Sequence, residues 1–331
     1  MLHGMCFAQH LRIYACAIAN DSTGASMGGS SNGSGLYQSD DTGKTWKHLG
    51  WDNIKCYSMD MVQSSNGRIL YEATGLGILH STDYGEHWKQ ITDWRISEAM
   101  DVAINQKSPN EIYIATAHGP WRTRDGGKKW EALLEGLPIL YTCRIVIDSG
   151  VNDHILVASE GGIFKLVNDS IWQEIPAKRY VSQDLPEQYV TQFTTIVEVN
   201  SSFWVAGAEN ALLLISDDSA HSFHAWNTGQ GTCWSVSVVG KTKFNSIYNV
   251  GGPSGWYHVY INNDVSGTIG PNKPLDVTGW VQTILPSRQL NHIDNDYFRI
   301  IATLGEGVTG SGGHTLDNRQ IWTLKSFSVT P

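Results

Sequence analysis

Ser81-Thr82-Asp83-Tyr84-Gly85-Glu86-His87-Trp88 is one of three near-copies in this chain. Ser39-Asp40-Asp41-Thr42-Gly43-Lys44-Thr45-Trp46 precedes it, and Thr123-Arg124-Asp125-Gly126-Gly127-Lys128-Lys129-Trp130 follows it. The shared skeleton is Ser/Thr-x-Asp-x-Gly-x-x-Trp. Its tryptophans keep time beyond the copies: Trp46, Trp88, Trp130 and Trp172 stand 42 residues apart, and so do Trp280 and Trp322. A fixed period of that length predicts a chain of equal supersecondary units, each covering the apolar faces of its neighbours.

Between the tryptophans of one unit the text breaks into short apolar or alternating runs, CYSMDMV, RILYEAT, ILHS and WKQIT, separated by Ser-Asn-Gly, Gly-Leu-Gly and the Asp-Gly segment. Alternation bounded by turn residues predicts four antiparallel strands per unit, and no window sustains a helical period. The fold class is therefore all-β. Four-stranded units at this period are the pattern of β-propeller blades. The Asp-Gly segment explains itself locally, because the aspartate accepts backbone N–H bonds from residues just ahead while glycine supplies the positive φ of the turn. The tryptophan opening the outer strand is expected to bury its ring between adjacent blades, worth roughly 3 to 5 kcal/mol against alanine.

The skeleton resembles the Asp-box, or BNR repeat, of sialidases, xyloglucanases, the sortilin ectodomain and the photosystem II assembly factor that carries such repeats. The resemblance implies a propeller whose boxes lie on the face away from the substrate site. Asp41, Asp83 and Asp125 then hold turns rather than perform chemistry, and so do two eroded boxes, Ser216/Asp218/Phe223 and Thr315/Asp317/Trp322. With the shorter Val167–Trp172 segment and Asp276-Val277-Thr278-Gly279-Trp280, the count is seven blades. A single domain over 1–331 is expected, divided near 1–50, 51–92, 93–135, 136–176, 177–228, 229–284 and 285–331. The first strand of blade one is placed near Met5 and the last of blade seven near Ser328. No exchange of strands between the two ends is expected, so the ring is expected to close on side-chain packing.

Net charge is -9, from 23 basic and 32 acidic residues without a basic cluster, which argues against nucleic acid or an anionic membrane as partner. No apolar run is long enough to span a bilayer. Among the five cysteines, Cys6, Cys56, Cys143 and Cys233 fall near the starts of innermost strands, so thiols around the channel are expected and only Cys6 with Cys16 is placed to pair. No metal-ligand spacing occurs, and neither metal nor cofactor is expected. A monomer is expected. The resemblance implies a secreted or periplasmic protein, whereas unpaired cysteines and the lack of a basic leader region point the other way.

Function is sought on the face opposite the Asp-boxes, where second-to-third turns and blade connections meet. That face gathers Trp51, Asp52, Trp94, Arg95, His118, Tyr141, Arg144, Tyr189, Trp234, Trp256, His258 and Glu306, an aromatic and polar rim suited to oligo- or polysaccharide. Glycoside hydrolysis needs an acid and a second carboxylate. The resemblance points to Asp21 as the acid, in the long Gly-rich loop of blade one, with Glu160 or Glu209 opposite. The resemblance does not extend to the Arg-Ile-Pro motif of true sialidases, which the chain lacks, and this counts against that activity. The alternatives are a non-catalytic binding or assembly propeller, and a polysaccharide lyase using His118, Tyr141, Arg144, Tyr189 and His258.

Overall fold

The computed structural model describes residues 10–18, 34–40, 45, 47–64, 67–148, 154–179, 188–189, 192–208, 212–225, 235–239, 247–252, 255–260, 282–286, 299–303 and 320–329. All regular elements among them are strands. In chain order these are β1 His10–Ile18, β2 Gly35–Ser39, β3 Lys47–Leu49, β4 Cys56–Ser64, β5 Gly67–Thr74, β6 Gly77–Ser81, β7 Lys89–Gln90, β8 Ala99–Ile104 and β9 Ile112–Thr116. There follow β10 Trp121–Thr123, β11 Glu131–Ala132, β12 Thr142–Ile147, β13 Ile155–Ser159, β14 Gly162–Val167, β15 Ile171–Ile175, β16 Ala177–Arg179, β17 Gln188–Tyr189 and β18 Phe193–Asn200. The last are β19 Phe203–Ala208, β20 Leu212–Ser216, β21 Phe223–Ala225, β22 Ser235–Val239, β23 Ile247–Gly252, β24 Gly255–Tyr260, β25 Gln282–Pro286, β26 Arg299–Thr303 and β27 Gln320–Val329.

Three units have the expected four-stranded meander: β4-β5-β6-β7, β8-β9-β10-β11 and β12-β13-β14-β15, here sheets 2, 3 and 4. Their first strands pack side by side, β4 on β8 and β8 on β12, and the series continues through β18, β22 and β25. Each hydrophobic core lies between consecutive sheets. Tyr14, Cys16, Leu36 and Leu49 meet Cys56, Met59 and Leu70 across sheet 1, which holds β1, β2 and β3, and sheet 2. Ala73 and Ile78 meet Val102 and Ile114 across sheets 2 and 3, and Tyr113 and Ala115 meet Val157, Phe164 and Trp172 across sheets 3 and 4. Leu156 and Ile163 meet Phe193, Trp204 and Phe223 across sheet 4 and sheet 5, which holds β16 to β21. The tryptophan period sets these contacts. Trp130 Nε1 donates to Ile91 O at 3.0 Å and Trp172 Nε1 to Leu133 O at 2.8 Å, each bonding the outer edge of the preceding sheet. Trp88 Nε1 instead bonds Gly85 O within its own turn, at 2.9 Å.

Three features depart from the expectations. Strand β27 pairs with β1 in antiparallel register over most of its length, giving sheet 1 the order β27-β1-β2-β3. The first and last described strands thus share one sheet, and β27 also packs on β4 and β26. Backbone hydrogen bonds, not side-chain packing alone, join the two ends; β1 takes the second place in its sheet because β27 takes the first. Sheet 5 has six strands, β17-β16-β21-β20-β19-β18, because Ala177–Arg179 leaves sheet 4 and adds in parallel to β21. Cys16, finally, expected as the one cysteine placed to pair, is a free thiol buried beside Cys56 between sheets 1 and 2. Cys6 lies outside the described residues, and the described cysteines are free thiols. Burial pushes the Cys56 thiol well above its ordinary pKa, with the neighbouring Cys16 and Glu72 adding to it, so it is an inert core residue.

Sheet 4 lacks the aspartate turn and joins β14 to β15 by Asn168, Asp169 and Ser170, the first two at positive φ (48° and 66°) in a tight turn closed by Ser170 N on Val167 O at 3.2 Å. Asp169 is thereby released to reach Arg122 and Arg124 of sheet 3. Although burial pushes its carboxyl up, hydrogen bonds from both guanidinium groups outweigh that and hold it below the usual range.

Candidate functional site

The aspartate turns are built alike in sheets 2, 3 and 5. Ser81 Oγ donates to Asp83 Oδ1 at 2.8 Å and accepts from Gly85 N at 2.9 Å, while His87 N donates to Asp83 Oδ1 at 2.9 Å. Thr123, Asp125 and Gly127 repeat this, with Lys128 N and Lys129 N on Asp125 Oδ1. So do Ser216, Asp218 and Ala220, with His221 N and Ser222 N on Asp218 Oδ1. The backbone N–H of His87, then its ring, hold Asp83 at about 2. Asp125 is held down first by Lys129 N–H. In Asp218 the hydrogen bonds of Ser216 and Ser222 outweigh burial. Carboxylates held ionised in this way accept hydrogen bonds rather than donate a proton.

Where Gly85 and Gly127 take φ of 91°, sheet 5 forces Ala220 to φ 61°. A left-handed alanine is strained, and glycine gives back part of that relief through unfolded-state entropy. Ala220→Gly should therefore raise stability by a few tenths to about 1 kcal/mol. A thermal melt showing equal or lower stability would contradict this account of the turn.

Antiparallel order places the second-to-third turns and the sheet-to-sheet connections on the opposite face, here called the mouth. A second repeating device shapes it. Thr74, Thr116 and Ser159 each donate their hydroxyl to the carbonyl three residues on, Gly77 O, Gly119 O and Gly162 O, at 2.8, 2.7 and 3.2 Å. Each hydroxyl also accepts the N–H of Leu76, His118 or Gly161. The turns lean on the start of the first strands: Gly75 N bonds Lys55 O, Ala117 N bonds Glu98 O, and Glu160 N bonds Tyr141 O. Lys55, Glu98 and Tyr141 therefore occupy equivalent places on the rim. Just inside, β4, β8, β12 and β18 all carry a bulge, at Cys56/Ser58, Ala99/Asp101, Thr142/Arg144 and Phe193/Thr195. Bulges re-aim side chains at sheet ends, and here they join three sheets: Asp101 accepts from Ser58 Oγ at 2.5 Å, Ile145 N at 3.1 Å and Arg144 Nη1 at 3.4 Å.

The residues anticipated from sequence divide as follows. Trp51, Asp52, Trp94, Arg95, His118, Tyr141, Arg144 and Glu160 all lie on the mouth face of sheets 2 to 4 and their connections. His118 Nε2 faces Glu98 Oε2 at 3.3 Å, and Glu98 holds a positive φ of 50°. Asp52 pairs with His48 at 3.5 Å, and Arg95 clasps Asp93 through Nε and Nη2. Arg144 is the member bound to Asp101. Tyr189 is not brought to them: it stands on β17, the far outer edge of sheet 5. Trp256 and His258 stand on β24, and Trp322 on β27. Asp21, Glu209, Trp234, Glu306, Asp41, Asp317 and Trp46 lie outside the described residues.

Ser58 and Asp101 were not foreseen. Their 43-residue spacing to Arg144 is regular, but three different residue types hide it. The hydroxyl turns carry a local signature, Thr/Ser-x-x-Gly. Six of the exposed large apolar residues lie on this face, Trp51, Leu76, Trp94, Leu134, Ile139 and Leu140, with Tyr84 on the other. Among the described residues no cluster of His, Cys, Asp and Glu could hold a metal ion, and no helix is long and apolar enough to cross a membrane.

No protein-family model matches the chain, and no curated protein matches it in sequence. Solved structures do. An ancestral GH74 enzyme matches at 16% identity and TM-score 0.54, over 80% of this chain and 38% of that one. The extracellular domain of a putative hybrid two-component system from B. thetaiotaomicron matches at 14% and 0.57, over 85% and 42%. The GH74 xyloglucanase from Xanthomonas campestris matches at 14% and 0.51, over 75% and 43%. The chain spans about two fifths of the length of these solved chains. They are β-propellers, and the fold of this chain is all-β and propeller-like.

Proposed function

We propose that the seven sheets are blades of one closed propeller with Asp-box turns, and that its mouth face recognises an oligo- or polysaccharide. One observation carries the ligand class. Trp94 is 88% exposed and Trp51 39%, and they stand at equivalent places, each four residues before the rim residues Glu98 and Lys55. Leaving an indole this open forgoes burial worth about 1.5–3 kcal/mol or more. Two such rings beside Asp52, Asp93 and Arg95 offer stacking faces with hydroxyl-binding partners, the composition that sugar rings need. Hydrolysis is the activity proposed for this face, with Asp21 as acid and Glu160 or Glu209 as second carboxylate. Both GH74 matches act as precedent for the fold carrying such chemistry, no more.

A second reading is favoured by Leu76, Leu134, Ile139 and Leu140, exposed on the same face. Aliphatic side chains suit a protein surface better than a sugar, and would make this a binding propeller. Titration of a polysaccharide panel separates the two. Trp94→Ala and Trp51→Ala should each weaken saccharide binding by about tenfold, the scale of losing one aromatic stack, with unchanged melting. Reducing-sugar release should vanish in Asp21→Asn. Silence of the wild type on every saccharide would sink the first reading, and full activity of Asp21→Asn would remove that residue.

A further inference from the structure

Beside the outer strand of sheet 2 runs an open groove of about 990 Å³, walled on its other side by the aspartate turn of sheet 3. Lys89, Lys128 and Lys129 line it, with the half-buried Trp88 and Trp130 between them. None of the three lysines has an ion-pair partner among the described residues. The carboxylates that also border the groove are already engaged: Asp83 by Ser81 and His87, Asp93 by both nitrogens of the Arg95 fork. Cationic charge is thus concentrated here in a chain of net charge -9.

The backbone of this wall is open at one residue. Ile91 N donates to Ile78 O at 3.0 Å, so alternation along the strand turns the N–H and C=O of Gln90 outward, into the groove. An unpaired strand edge is a template for another strand. Sheet 5 shows the template in use: β16 adds in parallel to the outer strand β21, Ala177 opposite Phe223 and Lys178 opposite His224, with Phe223 N on Pro176 O at 2.7 Å. In sheet 2 no strand adds to the equivalent edge: Trp130 Nε1 meets Ile91 O, and Gln90 beside it is left open.

We propose that this groove docks an extended acidic peptide of a partner protein, which adds as a strand to the outer edge of β7 and sets its carboxylates on Lys89, Lys128 and Lys129. Main-chain bonds supply affinity and the lysines select sign, the usual division in strand addition. One end of the groove reaches Asp93 and Arg95 at the mouth, whereas Lys89, Gln90, Lys128 and Lys129 are not among the residues placed in the saccharide site.

The test uses the full chain and a labelled Glu-Val-Glu-Val-Glu-Val peptide, followed by fluorescence anisotropy. Saturable binding that weakens with added salt is expected. The triple variant Lys89→Glu, Lys128→Glu, Lys129→Glu should lose about tenfold or more in affinity, the effect of reversing close charge pairs, while melting and saccharide binding stay at wild-type values. Gln90→Pro, which removes the outward N–H, should lose binding too, as should a peptide N-methylated at alternate amides. No binding by the wild type overturns the proposal, as does equal binding by the triple variant. Equal binding of the N-methylated peptide rejects strand addition, and polygalacturonate binding without peptide binding assigns the groove to an acidic saccharide.

Discussion

Trp172→Ala should cost about 3–5 kcal/mol of unfolding free energy, the range for deleting a large aromatic from a packed interior. The indole is 2% exposed and sits among Tyr113, Leu133, Ile145, Val157, Phe164 and Leu166, at the seam between sheets 3 and 4. Its Nε1–H is the partner of Leu133 O, and its backbone N–H bonds Glu135 O at 2.9 Å. The neighbourhood has little slack: a Cβ on Gly136, which holds φ +90°, would come within 2.1 Å of Trp172 O. Trp172→Phe keeps most of the buried area and loses the Leu133 bond, so it should cost clearly less. Urea unfolding of both variants checks the order. Equal losses would show that the ring contributes nothing beyond its hydrogen bond, and a loss under 1 kcal/mol for alanine would remove the seam from the account of stability.

Glu72→Gln should make the protein more stable at pH 8 and leave it unchanged near pH 4. Glu72 lies on β5, 1% exposed, with its Oε2 unpartnered and close to Gly50. Burial raises its pKa from 4.5 to about 8, against a smaller lowering by the Cys56 hydrogen bond. The sign follows from linkage: in the unfolded chain the carboxyl ionises near its ordinary value, whereas the folded chain keeps the proton until about pH 8. The unfolded state therefore binds fewer protons across that window, and stability falls as pH rises from about 4.5 to about 8, then levels. At about 1.4 kcal/mol per pKa unit the full penalty is a few kcal/mol. Glutamine has the shape of the protonated acid and no charge to bury, so its stability profile should be flat through the window. Chemical denaturation at pH 4, 6 and 8 decides it; parallel profiles for wild type and variant would mean that Glu72 is not the titrating group.

The same residue shows where sequence stops being informative. In RILYEAT, Glu72 alternates as an outward polar residue of a half-buried strand, yet a propeller-like blade is covered on both faces, so its side chain ends between sheets 1 and 2. The engaged state of Asp101 is hidden likewise, because its partners Ser58 and Ile145 lie on the flanking sheets. By contrast the turns of Asp83, Asp125 and Asp218 were legible. The serine or threonine hydroxyl and the aspartate find their partners within five residues, so local text carries these side-chain hydrogen bonds, while Gly126 N and Ser219 N reach back to Asn110 O and Ser202 O. Tyr189 is expected at the mouth, in a Pro176–Tyr189 stretch of loop-like composition. The edge of β21 turns part of it into strand, an outcome fixed by a partner more than forty residues away.

What the amino-acid order determines here is the local, repeated part: strand alternation, the serine–aspartate–glycine turns, and the tryptophan beat that spaces one sheet from the next. These follow from bonds and dihedrals within a few residues, and they suffice for an all-β, propeller-like chain. Tertiary structure decided the rest. It joined β27 to β1, released Asp169 to the arginines of sheet 3, buried Glu72, and left Trp94 and the β7 edge open. Each of these depends on which distant surface a side chain or strand edge meets, and the free energy of that meeting is absent from the text of either partner alone.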